Sequence, residues 1–451
     1  MSNVREHWGS RAGFILAAAG SAVGLGNIWK YPSMAGQHGG AAFTLVYLLC
    51  ILIVGLPILL AELAIGRSTQ LNPVGAFKKL ASNPRWGWVG FLGVASAFMI
   101  LSFYSVVGGW TLKYTFSALI GGFSQLATNG TASADYFVNF HTSVFAPLFW
   151  HFVFLGLCVY IIGHGVKSGI EKWSKVLMPL LLVILLILVI RGITLDGAKA
   201  GLDFLFKPRW SDLDASGIVL ALGHSFFTIS LGMGTMITYG SYLHRESDLM
   251  KAGLWVVFLD TLIAMLAGVA IFTAVFAQGQ NPAEGPGLIF IVLPSLFPNI
   301  PGGAIFAPLF FFLLFVAALT SGISILEVVT AYYIDEKGWD RKRATLMFGA
   351  IIGVSGALVS LSLGEFNILA PLGITYMDFL DGATSKYMLP LGGLLTAIFV
   401  ITKWGVSNFS LEVFSEKLSK RIPTAAVTVI LSVAGLVVAY IILKEMVEIF
   451  I

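Results

Sequence analysis

Apolar and polar positions alternate along this chain in long blocks rather than in single steps. Val176 to Ile190 and Ala304 to Ile325 pass without one charged residue. A helix needs about 20 consecutive apolar residues to cross the hydrocarbon core of a bilayer. Eleven stretches approach or exceed that length, at 11–37, 41–66, 88–121, 146–163, 169–190, 216–241, 252–278, 303–334, 344–362, 374–402 and 423–443. The pattern predicts a membrane-spanning helix in each. The first, third, sixth and eighth are long enough to tilt or to contain a break.

Composition narrows the class further. Of 451 residues, 57% are hydrophobic and 11% charged, against about 25% charged in soluble domains. So few charges could not cover the surface of a water-soluble enzyme of this size. An all-α polytopic membrane protein remains, while disorder, collagen-like repeats and nucleic-acid binding are excluded. The net charge of +4 then records topology rather than a basic patch. With a cytoplasmic N-terminus, the inside set is Arg5, Arg11, Arg67, Lys78, Lys79, Arg85, Lys167, Lys172, Lys175, Arg245, Lys251, Lys337, Arg341, Lys342, Arg343, Lys403, Lys417, Lys420 and Arg421, 19 of the 27 basic residues. Eleven spans would then leave the C-terminus outside. The 191–213 loop runs against this bias with Arg191, Lys199, Lys207 and Arg209, offset by Asp196, Asp203, Asp212 and Asp214. The residues before the first span lack a signal-peptide pattern, so that span itself would target the chain, as a multi-pass protein, to the plasma (inner) membrane of a prokaryote. Cys50 and Cys158 sit in apolar stretches and read as small buried hydrophobes.

Two of the predicted helices carry glycines where a straight helix would not want them. The first contains Gly20-Ser21-Ala22-Val23-Gly24-Leu25-Gly26-Asn27, and the sixth contains Ser230-Leu231-Gly232-Met233-Gly234-Thr235. Each glycine lowers helix propensity by about 1 kcal/mol, and a Gly20-x-x-x-Gly24 pair alone could serve as a packing face. These are, however, the corresponding helices if spans 1–5 and 6–10 repeat one unit. Interrupted helices at matching positions of two halves point to a transporter binding site at the midplane. Free amides there would suit a carboxylate, and free carbonyls a cation or an ammonium. Asn27, Thr228 and Ser230 add hard oxygen ligands that fit an alkali ion, and no His/Cys cluster suggests a transition metal.

Trp8, the run Gly24-Leu25-Gly26-Asn27-Ile28-Trp29-Lys30-Tyr31-Pro32, the run Phe226-Phe227-Thr228-Ile229-Ser230-Leu231-Gly232, and Ala317-Ala318-Leu319-Thr320-Ser321 resemble the neurotransmitter:sodium symporter family. The likeness covers nearly the whole chain and is closest to the bacterial amino-acid branch. It implies the LeuT-type fold. That is a single transporter domain over 1–451, with inverted five-helix repeats at 1–190 and 216–402 and an extra helix at 423–443. It also implies a sodium-coupled importer of amino acids working by alternating access. The implied partners are the amino acid and the lipid bilayer, with no obligatory protein partner.

Carried over residue by residue, the resemblance implies two sodium ions. The first would be held by Ala22, Asn27, Thr228 and Asp260 with the substrate carboxylate, the second by Gly20, Val23, Ala317, Thr320 and Ser321. Leu25, Gly26 and Tyr104 would hold the carboxylate, and carbonyls of Ala22, Phe227 and Ser230 the amine. Ile100, Val107, Phe227, Met233, Ser321 and Ile325 would line the side-chain pocket beside Gly24 and Thr228. Amine carriers of the family place an aspartate where Gly24 stands, so glycine favours a substrate that brings its own carboxylate. Flexible, polarizable Met233 suits a large apolar or aromatic side chain. Lys30 with Asp381 would close the outer side, Asp378 being a competing partner. Arg5 with Asp335, supported by Trp8, Ser241 and Tyr242, would close the inner side.

Departures from the family pattern carry expectations too. Chloride-dependent relatives hold the anion with Tyr, Gln, hydroxyls and Asn. Here Tyr47 and Thr228 remain, but His224, Asp260 and Ala264 replace the Gln, the Asn and a Ser. A fixed carboxylate at Asp260 implies chloride-independent transport, with possible proton exchange there. Gly169 and Pro179 form a Gly-x9-Pro pattern which, in the branch this chain resembles, accompanies opening of a water path to the second sodium. No His-Glu-x-x-His, paired-aspartate or nucleophile-elbow pattern appears, so an enzyme is not expected. A proton-coupled transporter or a channel remains the alternative. Asn129-Gly130-Thr131 matches a glycosylation acceptor that a prokaryotic protein would not use.

Overall fold

The computed structural model describes residues 5–127, 132–285, 287–414 and 423–448. Among them every regular element is helical. Asn129 to Thr131 and Lys417, Lys420 and Arg421 lie outside the described residues. We number the helices that follow the apolar blocks. They are α1 (Arg11–Ala22 continuing as Gly26–Gln37), α2 (Ala41–Thr69), α3 (Pro84–Leu119), α4 (Phe145–Gly163), α5 (Val166–Ile193) and α6 (Ala215–Thr228 and Thr235–Ser241). Then come α7 (Leu249–Ala277), α8 (Gly303–Lys337), α9 (Arg341–Ser362), α10 (Tyr376–Trp404) and α11 (Thr424–Glu448).

Nine of these are continuous and long enough to cross a membrane, and α1 makes a tenth if its two parts, bent by 45°, count as one. The eleventh expected span, α6, falls short of that length, its parts being 14 and 7 residues long. The cause is local. Ser230, Gly232 and Gly234 have φ of 55°, 77° and 78°, a left-handed alternation that no right-handed helix can propagate.

Burial follows position in the bundle. In α8, 89% of the most apolar stretch is buried, whereas in α11 the share is 33%, so α8 is a central strut and α11 faces outward. On α5, Val176, Leu180, Val183, Ile187 and Ile190 are exposed while Leu177, Leu181, Ile184 and Leu188 are buried. That helical spacing is a lipid face laid beside a packing face. Where α3 meets α4 the backbones touch. A Cβ on Gly109 would lie 2.6 Å from the His151 amide nitrogen, which is why a small residue is needed there.

Several helix starts are capped. Ser10, Asn72, Asp214, Asp248 and Asp340 accept first-turn amides with their side chains. Hydrogen bonds from Ser216 and the Gly217 amide hold the Asp214 carboxyl down to about 2. In α5 the turn over Val166–Glu171 is wider than an α-helical one, and Pro179 lies inside the helix that follows.

Candidate functional site

The break in α1 falls at residues 23–25. Val23 turns to an extended conformation, its ψ being 101°. Freed amides in a dry interior need partners, and side chains supply them. The Gly24 amide donates to Asn27 Oδ1 at 3.0 Å, and the Leu25 amide to the Tyr104 hydroxyl at 3.2 Å. Gly24 has no room for a side chain, because a Cβ would lie 2.8 Å from the Tyr104 oxygen and 3.1 Å from Ser321 Cβ.

The break in α6 spans 229–234 and meets that of α1. A Cβ on Gly26 would sit 3.4 Å from the Phe227 ring and 3.5 Å from Thr228 Cα. Ser230 Oγ donates to the Ser21 carbonyl at 2.9 Å. The Gly232 amide donates to Glu62 Oε1 of α2 at 2.8 Å, so a buried carboxylate steadies the unwound strand of backbone. Ile100, Val107, Met233 and Ile325 are buried, as are Tyr104 and Phe227.

Asn27, Thr228 and Asp260 converge. Asn27 Nδ2 donates to Asp260 Oδ1 at 2.8 Å, Thr228 Oγ1 to the same oxygen at 2.9 Å, and the Tyr47 hydroxyl to Oδ2 at 3.3 Å. Asp260 is fully buried, and no ion pair among the described residues includes it. A buried carboxylate of this kind holds its charge only with a compensating cation beside it. Both ring nitrogens of buried His224 lack a hydrogen-bond partner among the described residues, and its ring lies 5.2 Å from that of Tyr47.

A second group of oxygens gathers at Ser321. Its Oγ lies 3.3 Å from the Gly20 carbonyl, 3.1 Å from that of Ser21 and 3.3 Å from that of Val23. Thr320 Oγ1 adds a contact of 3.4 Å to Val23 and one of 3.0 Å to the Ala317 carbonyl. One hydroxyl proton cannot satisfy three carbonyls, and such a cage of hard oxygens suits sodium. Among the described residues no three His, Cys, Asp or Glu gather as a metal cluster. Gly20 also faces α5, with Met178 Sδ 3.2 Å from where its Cβ would be.

An expected ion pair forms toward each end of the bundle. Lys30 Nζ meets Asp381 Oδ1 at 2.6 Å and lies 4.1 Å from the centre of the Phe227 ring. Asp378 is instead engaged in a capping box with Thr375. At the other end, Arg5 Nη1 reaches the two Asp335 oxygens at 2.5 and 2.6 Å, and Nη2 donates to Ser241 Oγ. The Arg5 guanidinium covers the Tyr242 ring at 4.5 Å. Trp8 packs edge-on against Tyr242 at 6.1 Å, its amide donating to the Tyr242 carbonyl at 3.1 Å and its indole to the Tyr239 carbonyl at 3.0 Å.

Some partners were not named by the sequence. Ser21 Oγ joins Ser324 Oγ at 2.8 Å, extending the polar centre into α8; the Ser321-x-x-Ser324 spacing was its one sequence signal. Glu327 is held by Tyr242 at 2.5 Å and by two Arg341 nitrogens at 2.7 and 3.0 Å. Glu171 takes the Gly9 amide at 2.6 Å and the Ser10 hydroxyl at 2.8 Å, fastening the N-terminal segment to α5.

Comparison with known proteins gives a consistent set of likenesses. The model of the Sodium:neurotransmitter symporter family matches residues 5–128 and 125–450. A sodium-dependent transporter of Bacillus subtilis, named YhdH and described as uncharacterized, is 40% identical over 90% of this chain and 89% of its own length. A sodium-dependent transporter of Haemophilus influenzae, likewise described, is 34% identical over 88% of this chain and 89% of its own. The crystal structure of MhsT in complex with L-phenylalanine superposes with a TM-score of 0.88 at 44% identity, covering 97% of this chain and 100% of that one.

Proposed function

The chain belongs to the sodium:neurotransmitter symporter family, and we propose that it imports amino acids, above all hydrophobic and aromatic L-amino acids, by alternating access and without chloride. Membership makes it a sodium-coupled membrane transporter of the LeuT-type fold rather than an enzyme. The observation that carries the finer reading is the meeting of two backbone breaks at a buried centre, where Ser230 Oγ reaches the Ser21 carbonyl at 2.9 Å.

In this reading, two sodium ions travel with each substrate. One sits among Ala22, Asn27, Thr228 and Asp260, the other among Gly20, Val23, Ala317, Thr320 and Ser321. The substrate carboxylate takes the amides of Leu25 and Gly26 and the Tyr104 hydroxyl. Its ammonium takes the carbonyls of Ala22, Phe227 and Ser230. The side chain lies among Ile100, Val107, Phe227, Met233, Ser321 and Ile325, and a bound L-phenylalanine in the similar MhsT structure supports an aromatic one. Asp260 supplies next to the first ion the negative charge that chloride supplies in chloride-dependent relatives.

Coupling has a definite size. Each charge moved down 100 mV yields about 2.3 kcal/mol. Two sodium ions with a zwitterion would yield roughly 4.6 kcal/mol, about a thousandfold accumulation before any sodium gradient is counted. Eleven spans arranged as two five-helix repeats and an extra helix, with the N-terminus cytoplasmic, complete the proposal. Lys30–Asp381 then gates the outside and Arg5–Asp335 the inside. Each is mostly buried, with side-chain exposures of 16% and 12% for Arg5 and Asp335 and 14% and 35% for Lys30 and Asp381, so opening either gate has to return both charges to water.

Equilibrium binding tests this directly. Radiolabelled L-phenylalanine should bind the purified protein in sodium and lose at least about tenfold in affinity when choline replaces it. Equal binding in both would remove sodium from the site.

A further inference from the structure

α5 starts beside the N-terminal segment, where the Val166 amide meets Glu6 at 2.6 Å, so its other end lies at the opposite face of the protein. Arg191 stands at that end. Its Nε and Nη2 donate to the Pro301 carbonyl at 3.3 and 3.0 Å, and Nη1 donates to Thr194 Oγ1 at 3.0 Å. A guanidinium has five N–H groups, so two remain. No ion pair among the described residues includes Arg191.

Arg191 also borders an apolar cavity between α5, α7, the short helical segment Leu288–Asn299 and α8. Leu188, Leu195, Ile271, Phe297, Phe306 and Phe310 wall it, and among its described lining residues Arg191 alone is charged. The Phe306 ring centre lies 5.8 Å from the guanidinium carbon. The flanking Ile187, Ile190 and Ile305 are exposed apolar residues, which in a membrane protein marks a lipid-facing surface.

A cation without a carboxylate, at the mouth of an apolar cavity and beside a lipid-facing surface, matches one kind of molecule in both its parts. We propose that this is a site for a monoanionic glycerophospholipid, its phosphate on the two remaining Arg191 N–H groups and an acyl chain along the exposed isoleucines, a few of its carbons entering the cavity. Paired N–H donors in a plane fit phosphate oxygens two at a time. A free anion would use the guanidinium and leave the cavity without a role. A zwitterionic lipid would bring its own cation to compete for the phosphate. The same guanidinium holds Pro301, between Leu288–Asn299 and α8, so a lipid bound here ties α5 to that corner.

Native mass spectrometry of the full chain tests the site independently of transport. The purified protein is titrated with palmitoyl-oleoyl phosphatidylglycerol or phosphatidylcholine, alongside Arg191→Gln, Arg191→Lys and the control Arg209→Gln, each checked for an unchanged melting profile. Arg209 lies in the segment that follows α5 but pairs with Asp212 at 3.1 Å. The wild type and Arg209→Gln should retain one phosphatidylglycerol per chain with roughly tenfold preference over phosphatidylcholine. Arg191→Gln should lose that preference and Arg191→Lys keep part of it. Equal retention by Arg191→Gln, no preference in the wild type, or full displacement by millimolar glycerol phosphate would each overturn the proposal.

Discussion

Asn27 of α1 and Asp260 of α7 are joined twice, Asn27 Nδ2 donating at 2.8 Å to the Asp260 carboxylate and at 3.1 Å to the Asp260 carbonyl. The same asparagine turns its oxygen back to the Gly24 amide at 3.0 Å. One amide side chain therefore links the break in α1 to a buried carboxylate, so that the proposed substrate and ion sites share a strut.

That carboxylate is expected to replace chloride. Asp260→Asn removes the fixed charge while keeping a side chain of the same size, and a buried cation left uncompensated is costly. Uptake by the variant should fall roughly tenfold when gluconate replaces chloride, while the wild type is unaffected by the exchange. A transporting Asp260→Asn protein with no chloride requirement would count against this role.

Gly24 should tolerate no side chain. Its Cβ would meet Tyr104 and Ser321, and overpacking of this kind costs about 1–3 kcal/mol. Gly24→Ala should therefore lower the melting temperature and weaken L-phenylalanine binding by about tenfold or more. Tight binding by Gly24→Ala would mean that the substrate lies elsewhere.

The outer pair should respond to a change of cation. Lysine meets Asp381 at a single point, 2.6 Å, whereas arginine can bridge both carboxylate oxygens. Lys30→Arg is expected to slow substrate release to the outside by roughly two- to tenfold, read by washout of bound label. Unchanged washout would separate Lys30 from gating.

Glu327 and Arg341 should hold the inner side closed. Glu327 is fully buried, and removing one partner of a buried pair costs about 3–5 kcal/mol. Arg341→Gln should shift the protein toward an inward-open state, with a cysteine placed near Arg5 becoming reactive. The double change Glu327→Gln with Arg341→Gln should be milder than Arg341→Gln alone. Equal reactivity in all three proteins would contradict this.

Pro179 should ease the unwinding of α5. A proline within a helix removes one backbone bond and clashes with the preceding turn, and its neighbour Met178 packs on Gly20. Pro179→Ala is expected to slow sodium release to the inside several-fold, measured as efflux from loaded proteoliposomes. Unchanged efflux would take α5 out of the release path.

The spans were legible because a bilayer imposes long apolar blocks that no other environment requires. The block at 216–241 shows the limit. Its glycines announced a break, but not that its two helices would be as short as 14 and 7 residues, which depends on Ser230 adopting a left-handed conformation. The sequence left Lys30 a choice between Asp378 and Asp381. The choice turns on Thr375, which engages Asp378 in a helix cap, a local event invisible to spacing. Glu327 is recognisable as the one charged residue of the apolar block at 303–334. Its partner Arg341 is not, because α8 and α9 bring the two together only after packing.

Uptake into proteoliposomes under an inward sodium gradient, with labelled L-phenylalanine and the twenty amino acids as competitors, is the most direct test. Accumulation should require sodium, persist without chloride, and be blocked best by hydrophobic and aromatic amino acids. Undiminished accumulation when choline replaces sodium would contradict sodium-coupled amino-acid import.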